Sequence, residues 1–391
     1  MTEARPPEPP AATPPAAARP PDAAPPEPPA ATPPPDAAPP GAEREVTAEQ
    51  VSLGRRLRQP RTIFSIAVPL VVIVVFVALN WRQLERVPAL IAAANPVLVL
   101  AAFVVYYLGF PLRGYRWALL LRGTGFYCPT KDATEIIYLS WFVNCVVPAK
   151  LGDVYRAYLL KINSDASLSR TFGTIFIERV LDLFVIVILG LAAGFWSFRG
   201  GLPPGMQVVV GIGVGVMAAL AVGLLFLRKV GARLLAVLPL PRKKTILELY
   251  ERFEEGVFGA IGWRALPRLL VLTTLIWATE SLRLWFVVQA LGFPDVSLGI
   301  SGAVFVALIA SLLTAVPLSP AGLGIVEAGI IGVLTLVYNI PLAEATAIAL
   351  LDRAISVFSV IIIGLIAYVV SPKPRGEGRI PPAPEGFLAA A

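Results

Sequence analysis

The chain has no histidine in 391 residues, only two cysteines, and charged side chains at just 15% of positions. Each shortage closes a class of function. Without histidine, the commonest proton shuttle and the commonest metal ligand are missing. Cys128 and Cys145 lack metal-site spacing, and Cys145 sits in an apolar run as a small core residue, so no disulfide framework is expected. The sequence holds no G-x-S-x-G, P-loop, H-E-x-x-H or C-x-x-C, and S-P-A-G-L-G at 319–324 lacks the strand-helix context of a dinucleotide fingerprint. The expectation is a protein that is not an enzyme and that takes no cofactor and no metal.

What is abundant is apolar surface. Hydrophobic residues make up 56% of the chain, more than a soluble domain can bury, which predicts an all-α polytopic integral membrane protein. The formal charge of +7 then encodes orientation, and nucleic acid is not an expected partner. Residues 1–43 are Pro/Ala-rich, repeat E-P-P-A-A-T-P-P at 8–15 and 27–34, and read as a disordered cytoplasmic tail; no basic start runs directly into an apolar core, so a signal peptide is not expected. A basic juxtamembrane segment, 44–61, follows, with Arg55, Arg56, Arg58 and Arg61 just ahead of the first apolar run.

The membrane domain is expected over 62–371. Its apolar runs are 62–80, 97–121, 133–147, 172–198, 206–227, 267–291, 299–316, 322–337 and 343–370, with a basic connection at 228–266 and a second cytoplasmic tail at 372–391. Lys and Arg concentrate in 44–61, 113–131, 150–170, 228–268 and 373–379 and are sparse in 81–96, 199–205 and 292–298. This bias puts both termini in the cytoplasm of a cell-membrane protein. Within the connection, Ile246, Leu249, Tyr250, Phe253, Val257 and Ile261 share a helical face. That face suits a helix lying on the inner leaflet, or one packed on the protein's own cytoplasmic side.

Two stretches repeat each other. Residues 148–154 and 320–326 both read P-A-x-L-G-x-V, offset by 172; Glu178-Arg179 and Asp352-Arg353 each open an apolar run, offset by 174. Arg116-Trp117 precedes Gly125-Phe126 as Arg283 and Trp285 precede Gly292-Phe293. With the charge bias, the copies at about 97–198 and 267–370 point opposite ways, the pattern of inverted-topology repeats with broken or re-entrant helices. The segments 133–163 and 299–338 are either re-entrant hairpins or pairs of full crossings. Pro148, Gly152, Pro317, Pro320 and Gly324 are the expected hinges.

Ionisable residues inside apolar segments are functional candidates. They are Arg113, Arg116, Arg156, Glu178, Arg179, Glu280, Arg283, Glu327, Asp352 and Arg353. Glu178 and Asp182, four apart, share a helical face. Two roles compete. The pairs serve as internal salt bridges between broken helices, or the arginines line a cavity and bind phosphate, for which a planar guanidinium fork is suited.

At R-G-Y-R-W (113–117), F-V-N-C-V-V-P-A-K-L-G-D-V-Y-R-A (142–157), E-R-V-L-D-L (178–183) and P-L-S-P-A-G-L-G-I-V-E (317–327), the chain resembles the membrane region of the lysylphosphatidylglycerol synthase, or flippase-like, family. The resemblance covers roughly 62–371 and implies an inner-membrane protein that handles lipids between leaflets. Two-domain members add a C-terminal synthase domain; none is expected here, since only about 20 residues follow Val370. The expected function is movement of an anionic or phosphate-bearing lipid, phospholipid or isoprenoid-linked. The alternative is a non-transporting scaffold for envelope or glycolipid biosynthesis enzymes. Membrane lipids, and in the second reading those enzymes, are the expected partners.

Overall fold

The computed structural model describes residues 67–387 apart from 68–70, 72–73, 76, 148–149, 199–203, 238–242, 295, 297, 315–318 and 386. The Pro/Ala tail, most of the first apolar run, and the hinges Pro148 and Pro317 lie outside the described residues. The described residues form helices and no strand, the all-α polytopic architecture expected from composition. After short helices at Trp81–Leu84 and Val87–Ala92, the principal elements are α1 (Pro96–Gly123), α2 (Thr130–Val146), α3 (Leu151–Ile162), α4 (Leu168–Ser197), α5 (Pro204–Phe226), α6 (Lys243–Gly259), α7 (Leu266–Leu291), α8 (Ile300–Leu313), α9 (Ile325–Leu336), α10 (Leu342–Arg353) and α11 (Ser359–Val370).

Local signals set the helix ends. Asn95 caps α1 by accepting from Val97 N–H at 2.9 Å, with Pro96 at the first turn where its missing donor costs nothing. α7 stops at Gly292, which takes the left-handed conformation (φ 58°) and donates its N–H to Val288 O. A π turn, Ala354–Phe358, joins α10 to α11, so that 342–370 runs as one long apolar rod.

α1 and α7 run side by side and antiparallel. Asn95 N–H donates to Ala290 O at 2.8 Å near one end, Arg116 reaches Thr273 Oγ1 at 2.9 Å, and Gly123 packs its backbone on Ala260 near the other. This second end carries most of the basic residues and is called the basic end below. Here Gly256 of α6 meets Gly173 of α4 so closely that a Cβ on Gly256 would sit 2.1 Å from Arg170 O. α6 packs on α4, burying Gly256 and Val257 there, while Leu249 of its apolar face stays exposed. α5 also outruns its expected end at 227. It continues through a π turn (Leu227–Gly231) to Val237, and Tyr250 of α6 donates its hydroxyl to the Leu227 carbonyl at 2.7 Å.

α2–α3 and α8–α9 are helical hairpins. Their arms of 17, 12, 14 and 12 residues extend only about 25, 18, 21 and 18 Å at 1.5 Å per residue, short of the ~30 Å hydrocarbon core. They approach from opposite ends. α2 starts at the basic end, where Asp132 and Glu135 meet Lys373 and Ser371. α8 starts where Ser301 bonds Ser197, at the last turn of α4. Beyond α11 the segment through Ile380 is tied to the bundle: Lys373 is 2% exposed, pairs with Asp132 at 2.6 Å and donates to Gly378 O, while Ile380 N–H donates to Asn163 O.

Candidate functional site

Both hairpin tips and the two long central helices converge on one cavity of about 380 Å³. The tip of the first hairpin supplies Lys150 and Asp153; the tip of the second supplies Ser319, Ala321 and Gly322. The backbone breaks alike in both. Lys150 (φ 52°) and Ala321 (φ 51°) sit in the left-handed region, uncommon for residues with a Cβ, and each is followed by a new helix of 12 residues. Gly324 (φ 83°) takes a conformation suited to glycine. Gly152 serves close packing: a Cβ there would lie 2.0 Å from Ser140 O.

Ten ionisable positions stand out within the apolar segments of the sequence. Eight of them line the cavity: Arg113, Arg116, Glu178, Arg179, Glu280, Arg283, Asp352 and Arg353. The other two, Arg156 and Glu327, stand behind it as partners of lining residues. Lys150, Asp153 and Asp182 join the lining, as do Tyr106, Trp141 and Trp277. Lys150 and Asp153 were legible as charges in an apolar segment; the aromatics carry no sequence signal that separates them from core.

The charges form an interlocked set. Arg116, 1% exposed, places Nη1 at 2.5 Å and Nη2 at 3.2 Å from the two Asp182 oxygens, and Nη2 also lies 3.1 Å from Glu178. Glu178 in turn takes both amino groups of Arg156, at 3.2 and 2.5 Å, and the Arg156 guanidinium stacks 4.0 Å from the Trp117 ring. Trp277 Nε1 donates to Asp182 at 3.2 Å. Across the cavity, Arg113 bonds Glu280 at 2.6 Å, Glu280 also pairs with Arg283, and Arg283 forks onto Asp352 at 2.8 and 3.2 Å. Neighbours in sequence therefore do not pair with each other. Glu178 and Arg179, like Asp352 and Arg353, project about 100° apart on their helices and reach different elements.

The second member of each doublet reaches back to its hairpin. Arg179 forks onto Asp153 at 2.8 and 3.2 Å. Arg353 bonds Glu327 at 2.7 Å and donates to Ala321 O at 2.5 Å, while Glu327 also accepts from Gly324 N–H at 2.6 Å. The two tips differ in closure. The Arg353 side chain is 8% exposed and its hairpin's first turn is capped by Glu327; the Arg179 side chain is 35% exposed.

Such an assembly is costly to bury and holds together because each guanidinium in it is met by a carboxylate. Chemically it offers fixed cationic donors inside an apolar bundle, the setting in which an anionic group can be drawn out of water. Among the described residues no set of three His, Cys, Asp or Glu side chains is placed to hold a metal ion.

Residues 63–364 match the family described as the lysylphosphatidylglycerol synthase TM region. A UPF0104 membrane protein of Methanocaldococcus jannaschii is 36% identical over 229 residues, 59% of this chain and 94% of that protein. A UPF0104 membrane protein of Methanothermobacter thermautotrophicus is 27% identical, over 70% of this chain and 85% of its own length. The chain is also similar to a Haloferax volcanii protein named Glycosyltransferase AglD, 30% identical over 73% of this chain and 51% of that protein.

Proposed function

The chain belongs to the lysylphosphatidylglycerol synthase TM-region family, and from that membership and the cavity we propose that it moves an anionic or phosphate-bearing lipid between the two membrane leaflets. The observation that carries the reading is the single charged cavity met by two half-length hairpins arriving from opposite ends of the bundle. A headgroup would enter the cavity past one tip and leave past the other, while its tails stay in the hydrocarbon. The antiparallel course of α1 and α7, the matched backbone breaks and the 174-residue offset of the two doublets support an inverted-repeat origin, the usual basis of alternating access. We place the basic end, with both termini, on the cytoplasmic side. The protein's part in this is transport, with no covalent chemistry.

The similarity to part of a protein named a glycosyltransferase supports a glycolipid within the substrate class, and it also supports the second reading, a membrane platform for glycolipid or envelope enzymes. Reconstitution separates the two. Vesicles holding the purified chain and fluorescent phospholipid or polyprenyl-phosphate probes are bleached from outside. Transport exposes inner-leaflet probe to the bleach, and Arg179→Gln and Arg353→Gln slow that exposure. A chain that moves no lipid class, yet still retains envelope enzymes at the membrane, would belong to the second reading.

A further inference from the structure

We propose that Lys150 sets the cavity for a headgroup with one net negative charge, met as a lipid phosphodiester. The inference deepens the transport reading and rests on the cavity being the lipid site.

The count of charges is the first ground. Six cations line the cavity against five carboxylates, and adding the two partners behind it, Arg156 and Glu327, gives seven against six. Either count leaves one positive charge. That charge can be located. Arg116, Arg179, Arg283 and Arg353 each spend their forks on protein carboxylates or a carbonyl. Lys150 lines the cavity and makes no hydrogen bond or ion pair through its ammonium among the described residues; the carboxylates near it, Asp153 and Asp182, are already held by Arg179 and Arg116.

The second ground is the contrast between the tips. In the second hairpin the left-handed residue is Ala321, whose carbonyl is held by Arg353, and the following turn is capped by Glu327. In the first hairpin the left-handed residue is Lys150, and Gly152 N–H is satisfied by Asn144 Oδ1 at 2.8 Å, which leaves the ammonium as that tip's unspent group. Arg113 adds a second donor on the same lining: its Nη1 is buried and meets no acceptor among the described residues. A neutral headgroup would leave the Lys150 charge unpaired, a zwitterionic one would meet it with its phosphate but bring a further unmatched cation, and a doubly charged one would add a surplus negative charge beside five carboxylates. One phosphodiester oxygen pair on a compact ammonium fits between these.

The test uses the full chain purified in detergent, with spin-labelled phosphatidylglycerol, phosphatidylcholine and phosphatidic acid as probes, for the wild type, K150R and K150Q. The backbone strain at position 150 is the same in all three, and thermal unfolding checks that each is folded. The wild type and K150R should bind phosphatidylglycerol roughly tenfold more tightly than phosphatidylcholine, the scale of one partly buried charge contact. In K150Q that preference should vanish. A wild-type preference kept in K150Q would overturn the proposal, as would tightest binding of phosphatidic acid at about pH 8.5, where a phosphomonoester carries two charges. Soluble diethyl phosphate should compete poorly; displacement at a concentration equal to the lipid's would assign the site to a free phosphodiester and overturn the lipid source. The transport reading fails separately. Charge-selective, Lys150-dependent binding without movement in vesicles would sink transport and leave this proposal standing, whereas movement with an unaltered preference in K150Q would do the reverse.

Discussion

Arg353 sits 2.7 Å from Glu327, 26 residues earlier in the chain, and ties the start of α9 to the end of α10. Arg179 and Asp153 repeat that relationship at the same separation of 26 and at 2.8 Å, but with the arginine far more exposed. Two hairpins of one design are thus latched with different firmness.

The difference is measurable by double-mutant cycles. Replacing Glu327 by Gln or Arg353 by Gln strands a buried charge and should cost about 3–5 kcal/mol. The cycle on Asp153 and Arg179 should give about 1 kcal/mol or less, because solvent screens a side chain that is 35% exposed. Unfolding in mixed micelles with increasing SDS reads both. Equal coupling energies would show that exposure does not separate the latches.

Arg116 is the position where charge alone should not suffice. Its fork meets Asp182 twice while reaching Glu178 and Thr273. Lysine carries the same charge at a single point and cannot span those partners. Arg116→Lys should therefore lower stability by about 2–4 kcal/mol, approaching Arg116→Gln. Thermal unfolding monitored by size-exclusion recovery tests this, and a fully stable Arg116→Lys protein would contradict it.

The contact of α6 on α4 depends on glycine at both faces. Gly256→Ala places a methyl against the Arg170 carbonyl, and Gly173→Ala places one 2.3 Å from Phe253 O. Either substitution should push the helices apart, costing about 1–3 kcal/mol. Limited proteolysis between 238 and 266 should become faster. Unchanged proteolysis would mean that α6 is held by the lipid surface and not by α4.

Cys128 lies in the turn between α1 and α2, outside the spanning helices, and burial pushes its thiol up to about 12. Its maleimide labelling at neutral pH should be slow compared with the same thiol after unfolding, since only the thiolate reacts. The folded state holds this proton more tightly than the unfolded chain does. Its contribution to stability is therefore complete below an ordinary thiol's titration near 9 and is lost as pH climbs from there towards 12. Cys128→Ser should remove that part of the alkaline loss, seen as a smaller drop in unfolding temperature between those pH values.

Lys373 anchors the C-terminal segment. Lys373→Met would leave Asp132 unpaired and Gly378 O without its donor, and should lower stability by about 1–3 kcal/mol. Hydrogen exchange at Ile380, whose N–H is held by Asn163 O, should rise with it. Full protection at Ile380 would show that the segment is held by other contacts, such as Phe387 on Tyr127.

Much of this molecule is readable from one line of residues because the bilayer is a severe solvent. A chain that is 56% hydrophobic must become helices that satisfy their own backbone. The arginines and carboxylates stand out because each is improbable in such a run. The same logic exposed the repeated P-A-x-L-G-x-V and eight of the residues that line the cavity. Partner choice was not readable. Glu178-Arg179 and Asp352-Arg353 look like ion pairs in sequence, yet helical rotation sends each member to a different helix, and only packing says which. Nor does periodicity say which part of α6 meets protein; the close glycine contact with α4 places Val257 there.

By itself, then, the sequence determined the membrane class, the helical segments and the roster of buried charges, since composition and local spacing carry those. Only the tertiary structure decided that the two hairpin tips meet at one cavity and that, among the described residues, six of the seven cations in and behind it pair with carboxylates while Lys150 does not. Charge compensation in a low-dielectric interior depends on distances between residues far apart in the chain, and those distances exist only once the helices have packed.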